Sequence, residues 1–404
     1  MSYLESLIRC ITVFFAAGGL LLFMPYGGVA MEAVLHQGEK NEAHAALGAI
    51  LPLSGSYEKF GDRILDSLLL AGGFFDEGRE TSVELYLEDS QMKPEKARRA
   101  LSELADRHRV LAVLGPVSSE ESYAAAEEAE KRGISLITLT RNQDVTGVGR
   151  YIFNALPSTR NQIRHLVGYA LGQRAAGEAA VLYPDVPAGR DAAGFFRDEM
   201  AGRGGRVSRF VAYPADKADF AVEVERLTGR ITDAERSAGT DKAPRKIPFD
   251  ALFIPDSAVQ VSRIVSQLVF YRADGFQLLG DSGWNMPETV AANRERFEGA
   301  IFVDGFFANG AIPESAEFAD RFYEVCDREA DSLDAYIYDA MAMTLQIIEA
   351  WKNPTRERLR RDLAGMNAYH GVRGVVTVAP LRIMDSQPFL VTVRDGEFIQ
   401  IIEP

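Results

Sequence analysis

The sequence predicts an α/β protein built from two doubly wound parallel sheets, and three observations lead to this fold class. Short apolar runs alternate with amphipathic helical stretches over residues 46–156 and again over 157–305. Alternation of this kind produces parallel strands with helices on both faces. The run at 110–116 has almost no polar residue, as in a strand buried on both sides. A length of 404 residues is enough for about two such domains.

The N-terminal stretch has the composition of a secretory signal. A basic residue precedes the apolar run Cys10–Met24, and small residues follow at Gly28 and Ala30. A short apolar run followed by a small-x-small site is typical of a cleaved signal peptide. The run is shorter than the ~20 residues of a membrane span, which disfavours the alternative of an uncleaved anchor. We therefore predict a signal peptide over 1–30 and a linker over 31–45.

Each series of strands can be followed along the chain. The first series has strands at 46–53, 82–89, 110–116 and 134–140. The second series has strands at 178–185, 205–214, 250–256, 276–283 and 299–306. A helix is predicted between the strands at 250–256 and 276–283. Its apolar residues follow the i, i+3, i+4, i+7 spacing of a buried face, namely Val261, Ile264, Val265 and Leu268. Residues 228–249 are polar and predict a surface excursion.

The last third of the chain changes character. Long helices are predicted over 313–330 and 332–353, and a shorter one over 356–366. Strand-like sequence follows, ending in a hairpin around Arg394-Asp395-Gly396. These elements must dock on the two α/β series.

Charge and motifs exclude several classes of function. A net charge of −14 disfavours a nucleic-acid partner, which needs a basic face. The sequence contains no P-loop, no G-x-G-x-x-G after its first strand, no H-E-x-x-H and no paired cysteines. We therefore predict no cofactor and no metal site.

Polar residues follow the predicted strands, where open parallel sheets collect small ligands. The strand-end loops with such residues are 54–57, 117–121, 141–144, 255–257 and 281–285. In the second of these loops, Ser118 and Glu121 fit the S-x-x-E capping box that opens a helix. The amides of that helix N-terminus can also hold a ligand carboxylate, so capping and ligand binding both stay open.

The run Gly280-Asp281-Ser282-Gly283 is similar to the sequence around the nucleophile of trypsin-like proteases. Such an enzyme brings His and Asp to its serine on antiparallel barrels, whereas this chain predicts parallel sheets. The G-x-S-x-G elbow of parallel α/β hydrolases is also absent, because Trp284 occupies its last position. None of the five histidines neighbours the predicted strand end that holds Ser282. We predict that no residue is catalytic and that the protein is not an enzyme.

A resemblance to a known family rests on many weak motifs in a consistent order. They are LPLSGSYEKFGDRILDSLLLA, VLAVLGPVSSEES, GISLITLTRNQDVT, DALFIPDSAVQVSRIVSQLVFY and LLGDSGWN. Through them the chain resembles, from about Ala46 to its end, the type I periplasmic binding proteins of the branched-chain amino acid (Leu/Ile/Val) family. Within that family, the stretch from DALFIPD through GAIFVDGFF is most similar to the penicillin-binding protein activators.

The resemblance implies a two-lobed clamshell in which the chain crosses between the lobes three times. The N-terminal lobe would comprise residues 46–156 and 306–368. The C-terminal lobe would comprise residues 157–305 and 369–404. A ligand would enter the cleft that the two lobes enclose.

The resemblance also implies ligand-binding residues in the first lobe. Ser118 or Ser119 matches the family serine that meets the ligand carboxylate. Thr140, Arg141 and Asn142 match the next ligand loop. Arg141 stands where a small or hydroxyl residue is usual, and it would either pair with an acidic ligand or face solvent.

In the second lobe, amino-acid binders use a carboxylate in the loop matching LLGDSGWN to hold the ligand ammonium. Ser282 lies near that place, with Asp281 beside it, and Asp256 ends the neighbouring predicted strand. Tyr57 and Trp284 would either wall the cleft by stacking or pack within their own lobes.

The function that this resemblance implies is capture of a small polar ligand, amino acid-like or related, by a periplasmic protein. The partner of such a solute-binding protein would be an ABC permease. The alternative is an interaction protein on the same fold that activates a cell-wall synthase.

Overall fold

The computed structural model describes residues 33–35, 45–76, 83–173, 176–229, 247–378 and 380–402. The predicted signal peptide lies outside these residues, as do most of the predicted linker and most of the excursion at 228–249. No helix among the described residues combines the length and apolar character that a membrane crossing requires.

The described chain divides into two compact units, each of which is presented separately below. Unit 1 comprises the described residues up to Ser158 together with Ile312–Gln387, and unit 2 comprises Thr159–Ala311 together with the described residues from Pro388 onward.

Strands and helices alternate through most of both units. The strands are β1 (Ala33–Leu35), β2 (Ala45–Leu51), β3 (Val83–Asp89), β4 (Ala112–Leu114), β5 (Ser135–Thr138), β6 (Ile152–Asn154), β7 (Glu178–Pro184), β8 (Arg206–Tyr213), β9 (Ala251–Ile254), β10 (Gln277–Gly280), β11 (Ile301–Asp304), β12 (Tyr369–Gly371), β13 (Gly374–Val378), β14 (Met384–Ser386), β15 (Phe389–Arg394) and β16 (Glu397–Ile401). The helices are α1 (Glu58–Ala71), α2 (Pro94–Arg107), α3 (Ser119–Arg132), α4 (Thr159–Gly172), α5 (Pro187–Gly202), α6 (Ala221–Thr228), α7 (Ala258–Phe270), α8 (Pro287–Ala292), α9 (Arg294–Phe297), α10 (Pro313–Cys326), α11 (Ser332–Glu349) and α12 (Arg356–Ala364).

Unit 1 contains a six-stranded sheet in the order β1-β3-β2-β4-β5-β6. β1 is antiparallel to β3, and the other neighbours are parallel, as the sequence predicts. Alternate residues of β2 enter different cores: Leu47 and Ala49 pack in the cluster that includes Ile64 of α1, whereas Ile50 packs with Leu104 of α2. This period of two, with both faces apolar, produces a sheet covered by helices on both sides.

Unit 2 contains a seven-stranded sheet in the order β16-β15-β11-β10-β9-β7-β8. The strands from β8 to β11 are parallel, and the hairpin β15–β16 adds to the β11 edge in antiparallel fashion. Its turn at Asp395 and Gly396 has φ angles of 55° and 84°, the left-handed backbone that a tight hairpin turn requires. The apolar face predicted for α7 is confirmed, because Val261, Ile264, Val265 and Leu268 are all buried.

Residues 369–387 lie in unit 1, whereas the sequence assigned them to the second lobe. The chain therefore returns to unit 2 only at Pro388. The reason is packing: Val376, Val378 and Met384 join the core cluster that also holds Ile337 of α11. The antiparallel sheet β12-β13-β14 is thus part of the core of unit 1.

A buried ion pair ties this small sheet to α11. The Arg373 Nε donates to Asp339 Oδ2 at 2.9 Å, and both side chains are 0% exposed. The Val372 backbone N–H donates to the other Asp339 oxygen at 2.8 Å, and the Arg373 guanidinium lies 4.8 Å from the ring centre of Tyr336. Burial raises the pKa of Asp339, and the permanent charge of Arg373 opposes that rise.

Asp339→Asn should strongly destabilise unit 1, because it leaves the Arg373 charge buried without a counter-charge. We expect the free energy of unfolding to fall by about 3–5 kcal/mol, measured by urea denaturation. The control is Glu127→Gln, which breaks the exposed 2.7 Å pair with Arg98 and should cost no more than about 1 kcal/mol. Equal losses in the two variants would contradict this account.

Candidate functional site

The parallel strands of unit 1 end at one edge of its sheet, and polar residues are brought together there. Parallel pairing aligns Leu114 of β4 with Ile137 of β5, so the loops that follow these strands start side by side. α3 begins at Ser119 in the first loop, and Thr140 and Asn142 lie in the second. The buried faces of the sheet cannot hold polar groups without partners, so polar side chains collect at its edge. In open parallel sheets, small ligands bind at this carboxyl edge.

Ser119, Thr140 and Asn142 form a hydrogen-bonded cluster at this edge. The hydroxyls of Ser119 and Thr140 are 3.2 Å apart, and the Asn142 backbone N–H donates to the same Thr140 hydroxyl at 3.2 Å. Ser119 and Asn142 are half-buried, whereas Thr140 is only 1% exposed. The structure thus brings together three of the residues that the sequence proposed.

Asn154 supports this cluster and was missed in the sequence. Its side-chain amide donates to the Thr140 carbonyl at 2.9 Å, and its carbonyl oxygen accepts from the Leu156 N–H at 2.9 Å. The side chain is fully buried, so both bonds are made away from water and fix the loop after β5. The available signal was a polar residue at the end of the apolar strand sequence Ile152–Asn154.

Ser118 is the N-cap of α3. Capping was one of the two roles that the sequence analysis left open for it, the other being ligand binding. Its hydroxyl accepts from the Glu121 N–H at 3.2 Å, and the Glu121 carboxylate accepts from the Ser118 N–H at 3.3 Å. This complete capping box uses the third amide of the helix. The amides of Ser119 and Glu120 remain at the positive end of the helix dipole, beside the Thr140 hydroxyl.

Arg141 and Tyr57 are the exposed members of the unit 1 set. Arg141 is exposed and makes no hydrogen bond or ion pair within the part of the chain that the structure describes. Tyr57 is 52% exposed in the short 3-10 turn before α1. Both side chains lie in loops that follow strands of this edge.

Asp89, at the end of β3, organises the loop after β2. One carboxylate oxygen accepts the backbone N–H groups of Leu53 and Gln91 at 2.9 and 3.0 Å, and the other accepts the Ser54 hydroxyl at 2.5 Å. Asp89 was missed in the sequence, where Glu84 and Glu88 of the same strand are also acidic. Asp89 therefore holds the turn that leads to Tyr57.

In unit 2, a carboxylate follows each of the adjacent strands β9 and β10. Asp256 accepts the Tyr213 hydroxyl at 2.6 Å and the Ser257 N–H at 2.6 Å. Burial, with the Asp256 carboxylate as a further cause, raises the pKa of Tyr213, which therefore stays a neutral donor. Asp281 caps the turn Ser282–Trp284 by accepting the Gly283 N–H at 3.0 Å.

A third carboxylate of this edge, Asp304 at the end of β11, was missed in the sequence. It is 1% exposed and accepts from the Asn285 side-chain amide at 2.8 Å and from the Gly305 N–H at 2.6 Å. The carboxyl ends of three neighbouring parallel strands in unit 2 are therefore all acidic.

Trp284 packs within unit 2. The prediction that it lines the ligand cleft is therefore wrong, and the alternative of packing within its own lobe is the one observed. The side chain is 0% exposed, and its indole N–H donates to the Ile254 carbonyl at 3.0 Å. The indole lies directly on β10, where a Cβ at Gly280 would come within 2.2 Å of the ring. The ring also contacts Phe297 edge-on, at 5.6 Å between centres.

The Ser282 side chain is half-buried, and its hydroxyl makes no hydrogen bond to a histidine among the described residues. The described residues also contain no group of three or more His, Cys, Asp or Glu side chains that could hold a metal ion. Both edges present hydroxyls, amides or carboxylates that act as hydrogen-bond donors and acceptors.

Residues 45–397 match the family model described as periplasmic binding protein. The chain belongs to this family. The parallel sheets and their polar carboxyl edges are accordingly those of the type I periplasmic binding protein fold. No curated protein matches the chain in sequence.

Solved structures described as ABC transporter proteins or their substrate-binding proteins share the fold at low identity. A protein from Rhodospirillum rubrum described as a branched-chain amino acid ABC transporter is 22% identical, with a TM-score of 0.77 over 89% of this chain and 100% of that one. The substrate-binding protein LivJ from Streptococcus pneumoniae, in complex with isoleucine, is 20% identical, with a TM-score of 0.62 over 89% and 100%. A solute-binding protein from Rhodopseudomonas palustris, in complex with 3,4-dihydroxybenzoic acid, is 18% identical, with a TM-score of 0.66 over 89% and 96%.

Trp284→Phe should destabilise this periplasmic binding protein, because it opens a void on β10 and removes the donor to the Ile254 carbonyl. We expect a loss of roughly 1–3 kcal/mol in the free energy of unfolding, followed by circular dichroism in urea. Tyr57→Ala, at a half-exposed aromatic, should stay within about 0.5 kcal/mol of the parent. A Trp284→Phe protein as stable as the parent would show that the indole is not a packing residue.

Proposed function

We propose that this protein is an exported solute-binding protein that captures a small polar ligand and delivers it to an ABC permease. Membership of the periplasmic binding protein family supports this function. The periplasm is the compartment we propose for it. The protein would act by binding alone, and the transport step would belong to the permease.

The observation that carries this proposal is the cluster of Ser119, Thr140 and Asn142 at the carboxyl edge of unit 1. It places two hydroxyls next to the first amides of a 14-residue helix. Hydroxyl donors beside a helix N-terminus suit a carboxylate, which gains both hydrogen bonds and the field of the dipole. Isoleucine and 3,4-dihydroxybenzoic acid, the molecules bound to two proteins of similar fold, both carry a carboxylate.

The edge of unit 2 has a different preference. The carboxylates of Asp256, Asp281 and Asp304 favour a cation or a hydroxyl donor over an anion. From the unit 1 cluster alone, we infer that the ligand carries a carboxylate, as an amino acid or another small organic acid does. Arg141, exposed next to Thr140, is the residue we propose to select against ligands with a cationic side chain.

Activation of a cell-wall synthase, the alternative function, gains no support from these observations. The matching family model is described as periplasmic binding protein, and the structures from Streptococcus pneumoniae and Rhodopseudomonas palustris are described as substrate- or solute-binding proteins. The polar edges also have a direct use in ligand binding and no evident use in the alternative.

The proposal predicts that a small carboxylate ligand raises the melting temperature. A binder of the folded state stabilises it by RT ln(1 + [L]/Kd), or about 2.7 kcal/mol at a ligand concentration of 100 Kd. The panel should contain the 20 common amino acids, benzoate, 3,4-dihydroxybenzoate, and D-alanyl-D-alanine as a cell-wall fragment. Native mass spectrometry of gently purified protein adds any ligand that co-purifies. A panel without any stabilising compound, together with ligand-free mass spectra, would exclude the solute-binding function.

For a ligand found in this way, Ser119→Ala combined with Thr140→Val should weaken binding about 10-fold or more in calorimetry, since each hydrogen bond lost is worth about 0.5–1.5 kcal/mol. Ser102→Ala is the matched control, because it removes a hydroxyl from the middle of α2 that bonds to the Arg98 carbonyl. An unchanged Kd in the double variant would show that the cluster does not contact the ligand.

A further inference from the structure

Unit 1 contains a cavity of about 380 Å³ that the proposed function does not use. It is lined by the last turn of α1, by α10 and α11, and by the strand β12. α1 starts at the carboxyl edge and its 14 residues span about 21 Å, so Leu70 and Ala71 in the lining lie a full helix length from that start. The volume falls in the range of about 300–1,000 Å³ that is typical of small-molecule sites.

Three aromatic side chains line part of the cavity. Phe318 of α10 and Tyr338 of α11 contact each other with ring centres 4.8 Å apart. Tyr369 of β12 completes this part of the lining, and burial raises the pKa of its hydroxyl, which therefore stays neutral. Aromatic faces of this kind attract organic cations as well as apolar groups.

The charges in the lining are mainly negative. Glu314 and Glu317 of α10 are exposed and, within the described part of the chain, make no ion pair or hydrogen bond. The one arginine of the lining, Arg321, is held by Asp76 and Glu324, each at 3.2 Å. Two carboxylates without counter-charge thus stand beside neutral aromatic walls.

We propose that this cavity is a second binding site, selective for a small organic cation. The ligand class is an amine that carries an aromatic or branched apolar body. Its body would pack against Phe318, Tyr338 and Tyr369 in the cavity, and its ammonium would be held by Glu314 and Glu317. A neutral or anionic molecule of the same shape gains the apolar contacts but lacks the charge attraction, so the carboxylates determine selectivity.

Isothermal calorimetry on the full chain with phenethylamine tests this site. Phenethylamine should bind at least 10-fold more tightly than 2-phenylethanol or 3-phenylpropionate, which keep the phenyl body and remove or invert the charge. Glu314→Gln combined with Glu317→Gln should weaken phenethylamine binding about 10-fold. Asp320→Asn, an exposed acid on α10 outside the lining, should leave it unchanged.

Three results would overturn the proposal: phenethylamine that fails to bind at millimolar concentration, 2-phenylethanol that binds equally well, or full affinity in the double glutamine variant. The last result would place the amine elsewhere, including the carboxyl edges. The double variant should keep its affinity for the carboxylate ligand of unit 1, so this test and the test of the solute-binding function fail independently. Both substituted positions are exposed, and a thermal melt confirms that the variant is folded.

Discussion

Parallel strand pairing is the constraint on which the rest of the structure depends. Parallel strands all end at the same edge of a sheet, and each must be connected by a helix that covers one of its faces. Both faces are then apolar, as the separate cores on the two sides of β2 show. Polar side chains can therefore be concentrated only at the edges, and the carboxyl edge collects them from several loops at once.

Each edge uses this constraint with different chemistry. In unit 1, hydroxyls and amides form the hydrogen bonds of the edge. The Thr140 hydroxyl pairs with that of Ser119, and the Asn154 side-chain amide fixes the loop after β5 by donating to the Thr140 carbonyl. In unit 2, it is organised by carboxylates that already accept hydrogen bonds from their own unit, such as the Tyr213 hydroxyl on Asp256. These internal bonds hold the side chains in one orientation before a ligand arrives, which lowers the entropy cost of binding.

Much of the fold and part of the site could be predicted from the sequence, because they depend on local pattern. Apolar runs alternating with helical stretches predicted the strands, and helical spacing predicted the buried face of α7. The residues around Ser119 were predicted from strand-end position together with the family resemblance. Trp284 was ambiguous because burial of an aromatic depends on its tertiary neighbours, here the bare Gly280 on β10. The placement of 369–387 in unit 1 depends on long-range contacts that no local pattern encodes. They are the packing of Val376, Val378 and Met384 in the core of unit 1 and the pair of Arg373 with Asp339. Asp89 and Asp304 are the last residues of their strands, so they do not belong to the loops after the strands in which binding residues were predicted.

Hydrogen exchange of the full chain, with and without the first carboxylate ligand that raises its melting temperature, tests the central claim most directly. The ligand should slow amide exchange in residues 118–122 and 140–144, at the carboxyl edge of unit 1. Residues 107–111 and 132–135, which lead into the opposite ends of β4 and β5, should exchange as before. Protection at those opposite ends, with none at 118–122, would contradict the assignment of ligand binding to the carboxyl edge.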